Sequence, residues 1–258
     1  MTATFDLLFK FEYSLLLILL IAVMAVLYSS VGHGGASGYL AAMLLWGLSP
    51  EEMRPAALLM NITVTSWLLW RFRTYHLMSY QLFWPLVIAS TPMAFAGGLT
   101  QIQPAAYKFF VAIMLVFASV KLVLQDRHSN TYLQPHSTIV FLVGGVLGFA
   151  AGVTGIGGGV FLSPILIVLG WCTIRESAAI VAGFILLNSI AGLAGYFVSQ
   201  YTFPPGMGWL IAAAFAGCLV GGELASHKAS STILRRMLAG VLLIAALKMG
   251  YQQIILAF

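Results

Sequence analysis

Two glycine-rich stretches hold the residues best able to do chemistry: Ser29-Ser30-Val31-Gly32-His33-Gly34-Gly35-Ala36-Ser37-Gly38 and Gly152-Val153-Thr154-Gly155-Ile156-Gly157-Gly158-Gly159. Glycine at this density does not sustain a continuous helix, and it leaves backbone N–H groups uncovered. Each stretch leads into a short apolar piece, near 36–48 and 160–170. Those pieces are too short to cross about 30 Å of hydrocarbon comfortably and read as broken or re-entrant helices. The first N–H groups of such a helix have no intrahelical partner and its dipole favours negative charge, so two convergent helix starts form a ready anion site. Ser29, Ser30, Ser37, Thr154 and Ser163 add hydroxyl donors, and His33 adds a group able to carry a proton. The residues expected to bind substrate are Ser30, Gly32, His33, Gly34, Gly35, Ser37, Thr154, Gly155, Gly157, Gly158 and Gly159. Asn61 and Asn188 join them as polar groups deep inside predicted spans, where they hydrogen-bond across helices or line a pathway. No catalytic residue, metal ligand set or cofactor is expected.

Glycine also serves helix packing in membranes, where small residues four apart let backbones approach closely. Gly144, Gly148 and Gly152, and the pairs Gly192/Gly195 and Gly217/Gly221, read as packing positions of that kind. The cluster Gly155-x-Gly157-Gly158-Gly159 is denser and recurs in the first half, which points to a functional break.

The elements that position these stretches follow from composition. Of 258 residues, 61% are apolar and 7% charged, with a mean hydropathy of +0.99. So few charges could not solvate a globule this apolar, which excludes a soluble enzyme, a nucleic-acid reader and a disordered scaffold. Eight apolar runs are predicted to be membrane helices, near 13–31, 55–70, 82–99, 105–124, 137–153, 177–198, 207–226 and 233–256. The first is expected to be retained, since no convincing signal-peptide cleavage site follows it. Cys172 and Cys218 lack CxxC spacing and read as buried thiols. Lys108, Lys121, Arg235 and Lys248 sit toward span ends, where cations snorkel, and Trp46, Trp67, Trp70, Trp84, Trp171 and Trp209 read as interfacial anchors. Glu223 is expected to pair with His227 or Lys228 on the next turn.

The chain repeats itself. Gly32, Gly34, Gly35 and Gly47 each find a glycine 123 residues later, at Gly155, Gly157, Gly158 and Gly170, and Gly97-Gly98 recurs at Gly221-Gly222. Residues 1–124 and 137–258 are therefore read as two membrane repeats joined by a polar linker at 125–136. Basic residues swap sides between the copies. Loop 71–81 holds Arg71 and Arg73 while its counterpart at 199–206 is uncharged, and loop 227–236 holds Lys228, Arg235 and Arg236 while 100–104 has none. Since cytoplasmic loops are enriched in Lys and Arg, the swap is the mark of an inverted-topology repeat. It places 71–81, the linker and 227–236 in the cytoplasm, 49–54 and both termini outside, and 171–176 inside. Each copy is then an all-α unit made of a Gly-broken helical hairpin plus three transmembrane helices.

The run GVTGIGGGVFLSPIL at 152–166, its weaker counterpart in the first half and the duplicated layout resemble the TauE/SafE family of sulfite and organosulfonate exporters. The first copy has Ala36 for the third glycine of the triplet, Ala41 where Pro164 would align, and His33 in place of Ile156. The resemblance implies a multi-pass protein of the cell (inner) membrane exporting sulfite, sulfoacetate or a related sulfonate. Backbone N–H groups and hydroxyls could satisfy such an anion without a buried arginine. No P-loop motif is present, so alternating access around a midplane site would run on ion or substrate gradients. Expected partners are the small anion and the lipid bilayer, with a homodimer as a permitted assembly and no nucleic acid. Two other readings stay open: an intramembrane serine hydrolase using Gly35-Ala36-Ser37-Gly38, and an anion channel on the same scaffold.

Overall fold

A computed structural model describes residues 14–30, 32–73, 78–124, 135–199, 205–226 and 243. Within them the chain forms α1 (Leu15–Ser29), α2 (Ala36–Trp46), α3 (Pro50–Phe72), α4 (Tyr80–Leu99), α5 (Pro104–Leu124), α6 (Ser137–Thr154), α7 (Gly159–Val168), α8 (Ile174–Ser199) and α9 (Met207–Ser226). No strand occurs among the described residues. Seven of the eight predicted spans correspond to helices of this set, and 233–256 lies outside the described residues apart from Leu243. Three helices, Tyr80–Leu99, Ser137–Thr154 and the Arg175–Ser199 part of α8, are long and apolar enough to cross a membrane. The two short pieces are helices of 11 and 10 residues, about 16 and 15 Å long at 1.5 Å per residue.

Two segments read as loops turn out to be helix starts. At 49–54 the Glu52 carboxylate accepts from the Ser49 N–H at 2.8 Å and from the Ser49 hydroxyl at 2.9 Å, and Pro50 takes the first helical position. At 173–176 the exchange is reciprocal: Glu176 accepts from the Thr173 N–H at 2.7 Å, and the Thr173 hydroxyl accepts from the Glu176 N–H at 3.0 Å. Both are capping boxes, which satisfy orphan N–H groups and carry the helix one turn beyond its apolar run. Hydropathy alone misses that turn because it is charged.

The glycines read as packing positions set the helix pairs. A Cβ on Gly144, Gly148 or Gly152 of α6 would strike the carbonyls of Leu86, Ser90 or Ala94 of α4, so these two helices run parallel in backbone contact. Gly217 and Gly221 of α9 meet Ala22 and Val26 of α1 in the same way. Gly195 of α8 abuts Phe95 and Leu99 of α4. Cys218 of α9 donates its thiol to the Val64 carbonyl of α3 at 3.7 Å. Between α3 and α8 the direction reverses: the Tyr196 hydroxyl bonds the Glu51 carbonyl at 3.0 Å, Gly192 sits by Leu58 and Asn61 reaches Ser189. Outward faces stay apolar, with Leu15 and Leu19 on α1, Ile88 and Phe95 on α4, Phe109 and Ile113 on α5, and Leu142 and Val146 on α6 all exposed. Exposed apolar area distributed over so many helices suits lipid rather than water.

Candidate functional site

Both glycine stretches break their helices, and they do so alike. The Gly32 N–H bonds back to the Ser29 carbonyl at 3.0 Å and the His33 N–H to Tyr28 at 2.9 Å, closing α1; the Gly155 N–H closes α6 on Ala151 at 2.9 Å. At three of the four aligned glycine pairs, 32/155, 35/158 and 47/170, both members have positive φ. Gly35 and Gly158 are the N-caps of α2 and α7, at φ +98° and +75°, and neither helix start receives a side-chain cap. An L side chain is disfavoured there, so the chain turns sharply and leaves each short helix with uncapped N–H groups.

The two turns meet at one side chain. A Cβ on Gly34 would lie 2.7 Å from Asn61 Oδ1 and 3.2 Å from Ile185 Cγ2, while one on Gly157 would lie 2.8 Å from Asn61 Nδ2 and 2.8 Å from Ile185 Cγ2. Thr65 Cγ2 borders the first position at 3.0 Å and Ser189 Oγ the second at 3.2 Å. Asn61 Nδ2 donates to the Ile156 carbonyl and to Ser189 Oγ, both at 3.4 Å, which orients the amide with Oδ1 toward Gly34. Among the described residues, buried Oδ1 of Asn61 has no hydrogen-bond partner, and neither does the hydroxyl of Tyr39, which borders Gly35. Both amide atoms of buried Asn188, beside Ser189, also lack partners among the described residues. Unpaired polar atoms in such surroundings are costly unless something else satisfies them.

The remaining predicted residues are placed differently. Ser30 donates its hydroxyl to the Leu27 carbonyl at 2.7 Å and Thr154 to Ala150 at 2.7 Å, each within its own helix, and Ser29 does likewise to Ala25. Ser37 shares a 2.7 Å hydrogen bond with the Tyr28 hydroxyl. His33 is buried in the first turn, and Gly159 opens α7 against Ile185 and Val181. Gly34, Gly157 and Asn61 are thus brought together, with Ile185 and Ser189 as neighbours the sequence did not single out. Glu223 pairs with Arg71 of α3 at 2.9 Å, and His227 and Lys228 lie outside the described residues.

A buried arginine was also missed. Arg54, in the second turn of α3, donates Nε to the Gly152 carbonyl at 3.0 Å, Nη1 to Thr100 at 3.2 Å, and Nη2 to Gly97 at 2.6 Å, Gly152 at 2.7 Å and Gly98 at 2.9 Å. The Tyr196 ring lies 5.5 Å from its guanidinium carbon. Nearby, the Tyr107 hydroxyl donates to the Thr154 carbonyl at 2.9 Å. These carbonyls belong to the last turns of α4 and α6, where the helix dipole favours a cation. The signal available in the sequence was an arginine one turn past a capping motif, hence inside a helix rather than in a loop.

The sequence profile of the family described as Sulfite exporter TauE/SafE matches residues 17–249. A protein of Sinorhizobium fredii (strain NBRC 101917 / NGR234), described as "Probable membrane transporter protein y4hK", is 32% identical over 232 residues, covering 88% of this chain and 94% of that protein. No solved structure matches the chain.

Proposed function

The chain belongs to the TauE/SafE family of sulfite exporters, and from that premise we infer that it is a secondary transporter. In this reading it moves a small sulfur oxyanion, such as sulfite, sulfoacetate or a related sulfonate, outward across the cell membrane by alternating access. One observation carries the reading: Gly34 and Gly157 face a single carboxamide, Asn61, from opposite halves of the chain, beside two short helices without side-chain N-caps. Uncapped N–H groups supply donors where a negative charge is favoured, and the Tyr39 hydroxyl, without a partner among the described residues, has a hydrogen to give an oxyanion, whereas Asn61 Oδ1 can only accept, from a protonated oxygen or an ammonium of the guest. Substrate contact is assigned first to Gly34, Gly157, Asn61 and the helix starts at Ser37 and Gly159, with Asn188 next along the path.

Residues 1–124 and 137–258 act in this proposal as inverted copies rocking about that site. The neighbours support it. Residues about 124 apart have matching surroundings: Asn61 and Ile185 each touch both glycines, Thr65 borders Gly34 as Ser189 borders Gly157, and Gly32 abuts Ala178 as Gly155 abuts Arg54. The fourth helix of each half lies parallel to the first helix of the other, while α3 and α8 run antiparallel. Such an arrangement is what a two-fold axis across the helices would produce. Arg71 and Glu223 bring the ends of α3 and α9 together, as a shared cytoplasmic side requires. An interior-negative potential favours anion exit by about 2.3 kcal/mol per charge per 100 mV.

The hydrolase reading loses its support, because the Ser37 hydroxyl is engaged with a phenol that offers it no general base. Purified protein in proteoliposomes, offered sulfite, sulfate, taurine, isethionate, sulfoacetate and carboxylate analogues in turn, tests the proposal. Saturable flux of at least one sulfur anion, stimulated by counter-substrate, is expected. Single-channel currents would support the channel reading, and no flux of any sulfur anion would sink the substrate assignment.

A further inference from the structure

Arg54 stands out because it is a buried cation whose every acceptor is a neutral carbonyl. Among the described residues it makes no ion pair, and one of the two Nη1 hydrogens has no acceptor. Its bonds join the two halves of the chain. Gly97, Gly98 and Thr100 end α4 of the first half, whereas Gly152 belongs to α6 of the second half, three residues before the turn that presents Gly155 and Gly157. The Tyr196 ring beside the guanidinium also comes from the second half. At the equivalent place in the other half stands Ala178, against Gly32, with no donor to offer.

We propose that Arg54 is an anion-released latch: its guanidinium pins the ends of α4 and α6 together at one end of the transport path, and a departing oxyanion takes over those N–H groups and lets that end open. The proposal rests on the anion-transport reading above. Its physics is a competition for one cation. Helix C-terminal carbonyls offer partial negative charge, equivalent to roughly half an elementary charge per helix end. An oxyanion offers a full charge and two oxygens matched to the guanidinium fork, so its hydrogen bonds are shorter and stronger. A guanidinium buried without a counter-charge among the described residues favours such an exchange, since desolvation has already been met and a full negative charge is what the guest brings. Once Arg54 lets go, the Gly97, Gly98 and Gly152 carbonyls are freed together, so the two halves separate at one point.

The test uses full-length protein in vesicles with Cys172 and Cys218 replaced by Ala and a reporter cysteine at Ile156→Cys, in the turn behind the latch. The rate of labelling by a membrane-impermeant maleimide, added to either side, is read with and without sulfite. In the Arg54 parent, labelling from the Arg54 end is expected to be slow and to rise roughly tenfold with sulfite, the scale of losing one hydrogen bond to a charged group. In Arg54→Gln it should be fast from the outset and indifferent to sulfite. Should Arg54→Gln fail to fold, Arg54→Lys serves, because three hydrogens on one ammonium nitrogen cannot reproduce a planar fork that reaches four carbonyls, those of Gly97, Gly98, Thr100 and Gly152: its basal labelling should exceed the parent's while sulfite still accelerates it. Slow labelling in both variants would overturn the latch. Demonstrable sulfite binding by the parent without faster labelling would overturn release by the anion. Absence of sulfite binding and flux in the parent, with fast labelling in Arg54→Gln, would instead refute the substrate reading and leave the latch standing.

Discussion

At the end of the bundle where α3 begins, Arg54, Tyr107 and Tyr196 give their polar hydrogens to main-chain carbonyls in buried surroundings. Where α3 finishes, the fastening consists of the Arg71–Glu223 pair, with side chains 32% and 59% exposed, and the apolar contact of Gly32 with Ala178 and Phe72. The backbone plan is the same at both ends, with aligned glycine turns and aligned capping boxes. Only the side chains differ. Hydrogen bonds made by a buried charge are individually strong and insensitive to salt, whereas an exposed ion pair contributes about 0–1 kcal/mol and is screened. On the alternating-access proposal, the Arg54 end is then expected to be the harder one to open.

The largest effect is expected at Arg54. Arg54→Ala leaves several buried carbonyls without their donor, at about 1–3 kcal/mol for each that stays unsatisfied, so thermal unfolding in detergent should occur at a clearly lower temperature. Glu223→Gln, at the other end, should shift the same transition only slightly and less still at high salt. Equal shifts would break the comparison. Next come the packing glycines. Gly148→Ala would drive a methyl into the Ser90 backbone and Gly221→Ala into that of Val26, each costing about 1–3 kcal/mol as overpacking. Gly145→Ala meets only Met93 at 3.8 Å and should be neutral or stabilising by about 0.5–1 kcal/mol through helix propensity. Matched losses at Gly148 and Gly221 in a chemical or thermal melt would sharpen the equivalence of the two halves.

A smaller stability effect with a larger functional one is expected at the crossing point. Asn61→Leu takes a donor from the buried Ile156 carbonyl, so stability should fall by about 1–3 kcal/mol, less than at Arg54, while sulfite flux in proteoliposomes falls roughly tenfold or more. Flux as high as in the parent protein would remove Asn61 from the site. The least effect concerns Cys172, in the loop before α8. Burial, with Glu176 nearby, pushes its thiol up to about 12, so the reactive thiolate is scarce at neutral pH and grows as pH rises. Alkylation measured by mass spectrometry should be slow at pH 7, climb steadily through alkaline pH, and quicken modestly in Glu176→Gln. Rapid modification at pH 7 would contradict that burial.

Much of the architecture is legible because lipid-facing helices announce themselves by composition, and because the glycines of the two turns recur at a fixed distance. What escaped was polar. The first turns of α3 and α8 read as loops because their capping carboxylates interrupt the hydropathy window, and Arg54 falls within the first of these segments. Ser29, Ser30 and Thr154 looked like donors for a guest, yet their hydroxyls bond carbonyls of the preceding turn, a local option that any serine or threonine near the end of a helix possesses.

Local chemistry decided the rest of what could be read along the chain: which segments are apolar and where glycine breaks them. Which side chains meet is a different matter. Asn61 contacts turns 27 residues before it and 96 residues after it, and Arg54 finds carbonyls from two helices of opposite halves. No periodicity encodes such meetings. They arise only when the halves interlock, because a buried donor or acceptor is satisfied by whatever the packed helices bring within about 3 Å of it.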